Sequence, residues 1–156
     1  MMRLTARVAA GLLLSFTLLF AAEQKAVFDL TTGDEATIEK HLVKNIEGLA
    51  RYYKANDISF KAVVVISGKA YKYFVRDLEH SPFRDEADLA RAQKKLAPLL
   101  AKLHREYKVE FDMCQAGREA RNIDKAVLYD YVKSDRNKSV YLIMWQNRGY
   151  AYLPVH

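Results

Sequence analysis

Cysteine is almost missing from this chain of 156 residues, with Cys114 the only one. No disulfide can form within the chain, so the fold must stand on its core. A hydrophobic content of 51% is ample for one domain, and the length is too short for two comfortable ones. Glycine and proline are also sparse, at 6 and 3 residues. They form no glycine-rich phosphate loop, Gly33 alone not being one, and neither an internal repeat nor a low-complexity tract is present. The four histidines, His41, His80, His104 and His156, have no metal-ligand spacing to one another or to Cys114. The sequence therefore asks for no metal and no cofactor.

A strong charge of one sign is absent too. The formal charge is +6, and it falls to +4 without Arg3 and Arg7. Lys94, Lys95, Lys102, Arg105 and Lys108 share their segment with Asp85, Glu86, Asp88 and Glu106. That mixture reads as a solvated helix face and argues against nucleic acid as a partner.

No apolar run is long enough for an ordinary spanning helix, which takes roughly 20 residues. The uncharged stretch Val8 to Ala22, behind the basic Arg3 and Arg7, reads instead as a secretory signal peptide with Ala21 and Ala22 before a cut at Glu23. Residues 1–22 are thus expected to be removed, leaving 23–156 as a single exported, periplasmic domain. Phe20 and Leu19 fit the cleavage site poorly, so retention as an N-terminal membrane anchor is the alternative, and the only route to a membrane.

What is present is a regular alternation. Lys25 to Leu30 predicts a buried strand ended by Thr31-Thr32-Gly33-Asp34. Thr32 and Glu35 have capping-box spacing, and Ile38, Leu42, Ile46, Leu49 and Tyr53 make the apolar stripe of a helix ending near Asn56-Asp57. Phe60 to Ile66 is the clearest strand, closed by Ser67-Gly68, because its β-branched run suits burial on both faces. The ring-rich Tyr71, Tyr73 and Phe74 read as core, or alternatively as an oligomer contact. Ser81-Pro82 and Asp85 signal a second helix carried by Leu89, Ala92, Leu96, Leu99, Leu103 and Tyr107, with a kink or break expected near Ala97 from Pro98.

Val109 to Met113 predicts a third strand, and Gln115 to Arg121 a short helix with Asn122 as a left-handed cap. Asp130 to Ser134 is a short fourth strand. Ser139 opens a helix through Val140, Ile143 and Met144 that stops at Gly149, and Tyr150 to Val155 closes the sheet, with Pro154 unsuited to a central ladder. Strand and helix in alternation imply an α/β domain with a mostly parallel sheet covered on both faces.

Cys114 falls at the junction of the third strand and its helix, close to unpaired N–H groups and a positive helix end, both of which favour a thiolate. A buried cysteine serving as a small apolar residue is the competing reading.

The segments Phe28-Asp29-Leu30-Thr31-Thr32-Gly33-Asp34, Val63-Val64-Val65-Ile66-Ser67-Gly68, Val109-Glu110-Phe111-Asp112-Met113-Cys114 and Gln146-Asn147-Arg148-Gly149-Tyr150-Ala151-Tyr152 follow one another in an order and spacing that is fairly specific. Together the chain resembles the DsrE-like family of sulfur-relay proteins (the DsrE, DsrF and TusD type), in particular its small exported members. The resemblance implies a three-layer α/β/α domain with a five-stranded sheet, assembled as a homo-oligomer such as a trimer or hexamer. It also implies that Cys114, placed just after the third strand, accepts sulfane sulfur as a persulfide and passes it on, with a sulfur donor or acceptor protein as partner. Arg121 matches an arginine common in the helix after that cysteine, while Asn122 stands where those members often have glycine. The relay members are cytoplasmic, so an exported copy need not share their partners.

Sulfur transfer needs an accessible thiolate and groups that steady it. Candidates are the N–H groups of Gln115, Ala116 and Gly117 and the side chains of Arg118 and Arg121, either of which could instead be solvated. Thr31, Thr32, Gly33, Ser67 and Gly68 are candidate pocket walls, since the strands of a parallel sheet end on one side. A protease-like Cys-His pair needs a histidine that meets Cys114 in space, and His41 reads as a surface or boundary residue. The other function class is a non-catalytic oligomeric binding or scaffold module in which Cys114 is structural.

Overall fold

The computed structural model describes residues 23–156, so the segment read as a signal peptide lies outside the described residues. Five strands, β1 (Glu23–Leu30), β2 (Ser59–Ile66), β3 (Glu110–Met113), β4 (Val132–Lys133) and β5 (Ala151–Val155), form one sheet in the order β4-β3-β2-β1-β5. Every pairing is parallel, from Glu23 beside Ser59 to Leu30 beside Ile66 in the longest ladder. β2 takes the centre because Val63, Val64, Val65 and Ile66 are apolar to both sides and all are buried. β5 is an edge strand, where the donor that Pro154 lacks is not missed.

Three consecutive helical segments, Glu35–Thr37, Ile38–Val43 and Lys44–Ala55, make up α1 (35–55). The middle one is a π-turn, whose wider winding turns both Leu42 and Val43 inward beside Ile38 and Ile46. Asp34 rather than Thr32 is the N-cap, its carboxylate accepting from the Thr37 N–H at 2.7 Å, while Thr32 Oγ1 accepts from the Asp34 N–H. α2 (Leu89–Tyr107) begins later than Ser81 and Asp85 suggest, because residues 81–88 form a series of turns. Pro98 does not break it. It sits on the solvent side, where water can satisfy the Lys94 carbonyl that loses its partner. Tyr71, Tyr73 and Phe74 lie in a 3-10 turn, Ala70–Phe74, and are buried within the monomer, which makes them core and not a contact surface.

α3 (Gln115–Glu119) is shorter than the predicted run to Arg121, and Asn122 adopts the expected left-handed conformation at φ 53°. α4 (Lys138–Asn147) links β4 to β5 at opposite edges of the sheet. The chain steps from β1 to β2 to β3 in one direction and returns from β4 to β5 in the other. With right-handed crossovers, α1 and α2 cover one face and α4 the opposite face.

The two faces are unequal. On the first, Phe28, Val64 and Phe111 pack under Ile38, Leu42, Leu96 and Leu100. On the second, among the described residues, only Val27, Val63 and Val65 meet Tyr141 and Trp145 of α4, with Leu142, Met144 and Tyr150 at the margin. Two carboxylates, Asp29 on β1 and Asp112 on β3, are buried on this thinner side. Among the described residues, no helix is long and apolar enough to cross a membrane.

Candidate functional site

β3 ends at Met113, and the Cys114 N–H still donates to the Ile66 carbonyl of β2 at 2.9 Å, so the cysteine is fixed to the end of the sheet by the last rung of the ladder. It is 9% exposed, more covered than an openly accessible sulfur would be. It belongs to the buried apolar cluster of the first sheet face, and polar groups also approach it. Burial opposes ionisation and is the largest single influence on the thiol. The N–H groups of Gly117 and Lys138, the hydroxyl of Tyr71 and the N–H of Ala116 together outweigh it, so the thiol is more acidic than an ordinary cysteine.

The candidates around Cys114 divide. The amides of Gly117 and Ala116 favour the thiolate, that of Ala116 while donating to Asn137 Oδ1 at 3.3 Å, whereas that of Gln115 donates to the Arg136 carbonyl at 2.9 Å and its side chain to Glu119. Arg118 does not reach the site. Its guanidinium is committed to Ser134 Oγ at 3.0 Å and the Ile123 carbonyl at 2.6 Å, which ties α3 to the chain beyond it. Arg121, exposed and past the end of α3, stacks 4.8 Å from the centre of the Tyr71 ring and donates to the Gly117 carbonyl at 3.0 Å.

Two groups escaped the sequence reading. Tyr71 looked like plain core, yet its hydroxyl donates to the Cys114 carbonyl at 3.2 Å and lies beside the sulfur. Burial, followed by this neighbour, pushes its own ionisation far upward, so it remains a donor. The other is the Lys138 N–H at the start of α4, 24 residues further along the chain. Its signal was topological, since a helix that follows β4 starts at the same sheet edge as Cys114. The Asn137 side chain does not cap α4, and its Oδ1 accepts instead from the Ala116 N–H at 3.3 Å.

Thr32, Gly33, Gly68 and Arg121 line a cleft of about 630 Å³ with Asp34, Lys69, Tyr71, Lys72, Phe83 and Glu86. Cys114 is not a wall of this cleft, and Tyr71 is shared by the cleft and the sulfur. Thr31 and Ser67 are not walls either. Thr31 Oγ1 pairs with His156 Nδ1 at 2.9 Å, and the buried Ser67 extends the sheet through its N–H to the Leu30 carbonyl. Gly68 has φ +65°, and a β-carbon there would lie 2.5 Å from the Thr31 carbonyl oxygen. The two loops therefore close against each other, backbone to backbone, as only glycine permits.

The parallel five-stranded sheet agrees with the family model that matches residues 24–155, that of the DsrE/DsrF-like family. The chain belongs to the DsrE/DsrF-like family. This family gives the fold its sulfur-relay type, and its proteins generally form oligomers. An uncharacterised protein of Aquifex aeolicus (strain VF5) is 29% identical over 136 residues, which are 87% of this chain. The chain spans 58% of that relative's length. Among solved structures, a protein of unknown function from Methanobacterium thermoautotrophicum, MTH1491, superposes with a TM-score of 0.60 at 18% identity. The match covers 84% of this chain and 98% of that one, and it is a likeness of fold alone.

Proposed function

We propose that this DsrE/DsrF-like protein is an exported sulfur carrier that holds sulfane sulfur as a persulfide on Cys114. What supports the reading is the polar surroundings of the sulfur: the N–H groups of Gly117 and Lys138, the Tyr71 hydroxyl that also meets the Cys114 carbonyl, and the Ala116 N–H that it shares with Asn137 Oδ1 favour the anion against its burial. A structural cysteine in an apolar core gains nothing from such donors.

In the loading step the Cys114 thiolate attacks the outer sulfur of a persulfide donor. The donor's S–S bond breaks, its thiolate leaves and takes up a proton, and a new S–S bond forms on Cys114 with no net oxidation. Delivery reverses the roles, with an acceptor thiolate taking the terminal sulfur and Cys114 leaving as the thiolate that the same amides stabilise. The small opening at Cys114 suits a slender donor better than a bulky one. Location in the periplasm and assembly as a homo-oligomer, trimer or hexamer, are parts of the same proposal. They draw on the basic and apolar segment 1–22 and on the family's general habit of assembly.

Intact-mass measurement after treatment with a small persulfide donor tests the reading. One added sulfur atom on wild type and none on Cys114→Ala is the expected result. Absence of an adduct on wild type across low-molecular-weight donors would leave the binding or scaffold module as the better account.

A further inference from the structure

Lys138 links the surroundings of the sulfur to the interior of the thin sheet face. The Gln115–Arg136 and Ala116–Asn137 hydrogen bonds bring the start of α4 to Cys114, where the Lys138 N–H favours the thiolate, and the Lys138 Nζ lies 2.9 Å from Asp29 Oδ2. The same Oδ2 accepts from the Tyr152 hydroxyl of β5 at 2.9 Å. Asp29 is 2% exposed, and its other oxygen, Oδ1, is buried with no hydrogen-bond partner among the described residues. An unsatisfied oxygen on a buried carboxylate costs stability, so the pair is poorly explained as a device for holding the fold together.

Its position offers another reason. Among the described residues α4 alone covers its face, and the Asn137 side chain accepts no capping hydrogen bond from it. Further along, Trp145 Nε1 donates to Asp112 Oδ2 at 2.7 Å, which fixes the C-terminal half of the helix to β3. At the N-terminal end, the Gln115 and Ala116 amides hold Arg136 and Asn137 beside α3, and the tie to the sheet itself is Lys138 to Asp29 and Tyr152. We propose that Asp29 and Tyr152 are positioning residues for Cys114: through the Lys138 side chain they hold the first turn of α4 against the sheet so that the Lys138 N–H stays on the sulfur. The proposal deepens the reading of Cys114 as a sulfur carrier and rests on it, because it identifies what keeps the anion's support in place.

The sign of one substitution separates positioning from simple charge. Asp29→Asn removes a negative charge and leaves the Lys138 cation uncompensated. By Coulomb's law alone, both changes make the thiol more acidic. Release of the α4 terminus makes it less acidic.

The chain has a single thiol, so the rate of iodoacetamide alkylation against pH reports on Cys114 alone. The midpoint of Asp29→Asn is expected to rise by about half a pH unit or more, roughly three-fold in thiolate fraction at pH values below the midpoint. Tyr152→Phe, which changes no charge, should shift it the same way by less, and Lys138→Arg should hold it near wild type. Should Asp29→Asn fail to fold, Tyr152→Phe decides. A midpoint that falls or does not move in the folded variants overturns the proposal. This titration uses no sulfur donor, so its failure and a failure of persulfide loading are read separately.

Discussion

The Tyr71 hydroxyl lies 3.2 Å from the carbonyl oxygen of Cys114 and fills the space that a β-carbon on Gly117 would need, 2.0 Å away. Glycine at 117 thus lets a buried ring bring its one proton between two acceptors of the same cysteine, the carbonyl oxygen and the sulfur.

Gly117→Ala should displace that ring. Tyr71 is only 2% exposed and cannot swing into solvent, so the variant is expected to lose about 1–3 kcal/mol of stability from overpacking. The alkylation midpoint of Cys114 should rise by about one unit as a donor leaves the sulfur. Tyr71→Phe keeps the ring and should reproduce part of the acidity change with little of the stability loss. Thermal melts and alkylation against pH check both.

Arg118 and Arg121 should behave differently despite their closeness in sequence. Arg118→Met strands Ser134 Oγ and the Ile123 carbonyl and is expected to cost about 1–3 kcal/mol in denaturant unfolding. Arg121→Met removes an exposed cation stacked on Tyr71 and should cost about 1 kcal/mol or less. A larger loss at Arg121 than at Arg118 would contradict the packing described.

Burial raises the Asp112 carboxyl to about 6, against the opposing hydrogen bond from Trp145 and the charge of Lys133. A carboxyl raised in the folded state favours folding while it is protonated. That contribution is fully present below the unfolded value, about 3.9, and is lost as pH rises through about 6. Asp112→Asn removes the loss. It should be more stable than wild type by about 1–2 kcal/mol at pH 7, with the two converging near pH 4. Unfolding free energies measured across pH 4 to 8 check this, and a constant difference across the range would refute it.

Val140 and Ile143 on α4 are 50% and 60% exposed, and Tyr152 on the edge strand is 41% exposed. If the protein assembles through this side, Ile143→Glu should reduce the mass seen by size exclusion with light scattering while leaving the Cys114 midpoint unchanged. A wild-type monomer at micromolar concentration would remove the homo-oligomer from the proposal.

The architecture was largely readable because each element carried its own signal. Val63 to Ile66 announced a strand buried on both sides, the spacing of Ile38, Leu42 and Ile46 gave a helix with one apolar face, and Pro154 named an edge. Asn122 was legible as a left-handed position because its short polar side chain tolerates that backbone. Errors arose where neighbours arbitrate. Pro98 survives within α2 because its turn faces solvent, and Asp34 displaced Thr32 as cap because its carboxylate reaches Thr37.

The candidate site was legible only in part. Cys114 stood out because strand-to-helix junctions of parallel sheets share one edge, a rule that operates along the chain. Gln115 looked equivalent to Ala116 and Gly117, and only the approach of Arg136 took its amide away.

Sequence by itself determined most of the elements, the parallel sense of the sheet and the junction that bears the sulfur, since hydrophobic period and turn chemistry act between residues close together in the chain. Tertiary structure decided which groups surround that sulfur. Tyr71 and Lys138 lie 43 and 24 positions away, and Asp29 is tied to Lys138 across 109. Burial, orientation and charge balance among groups so far apart exist only once the sheet has closed.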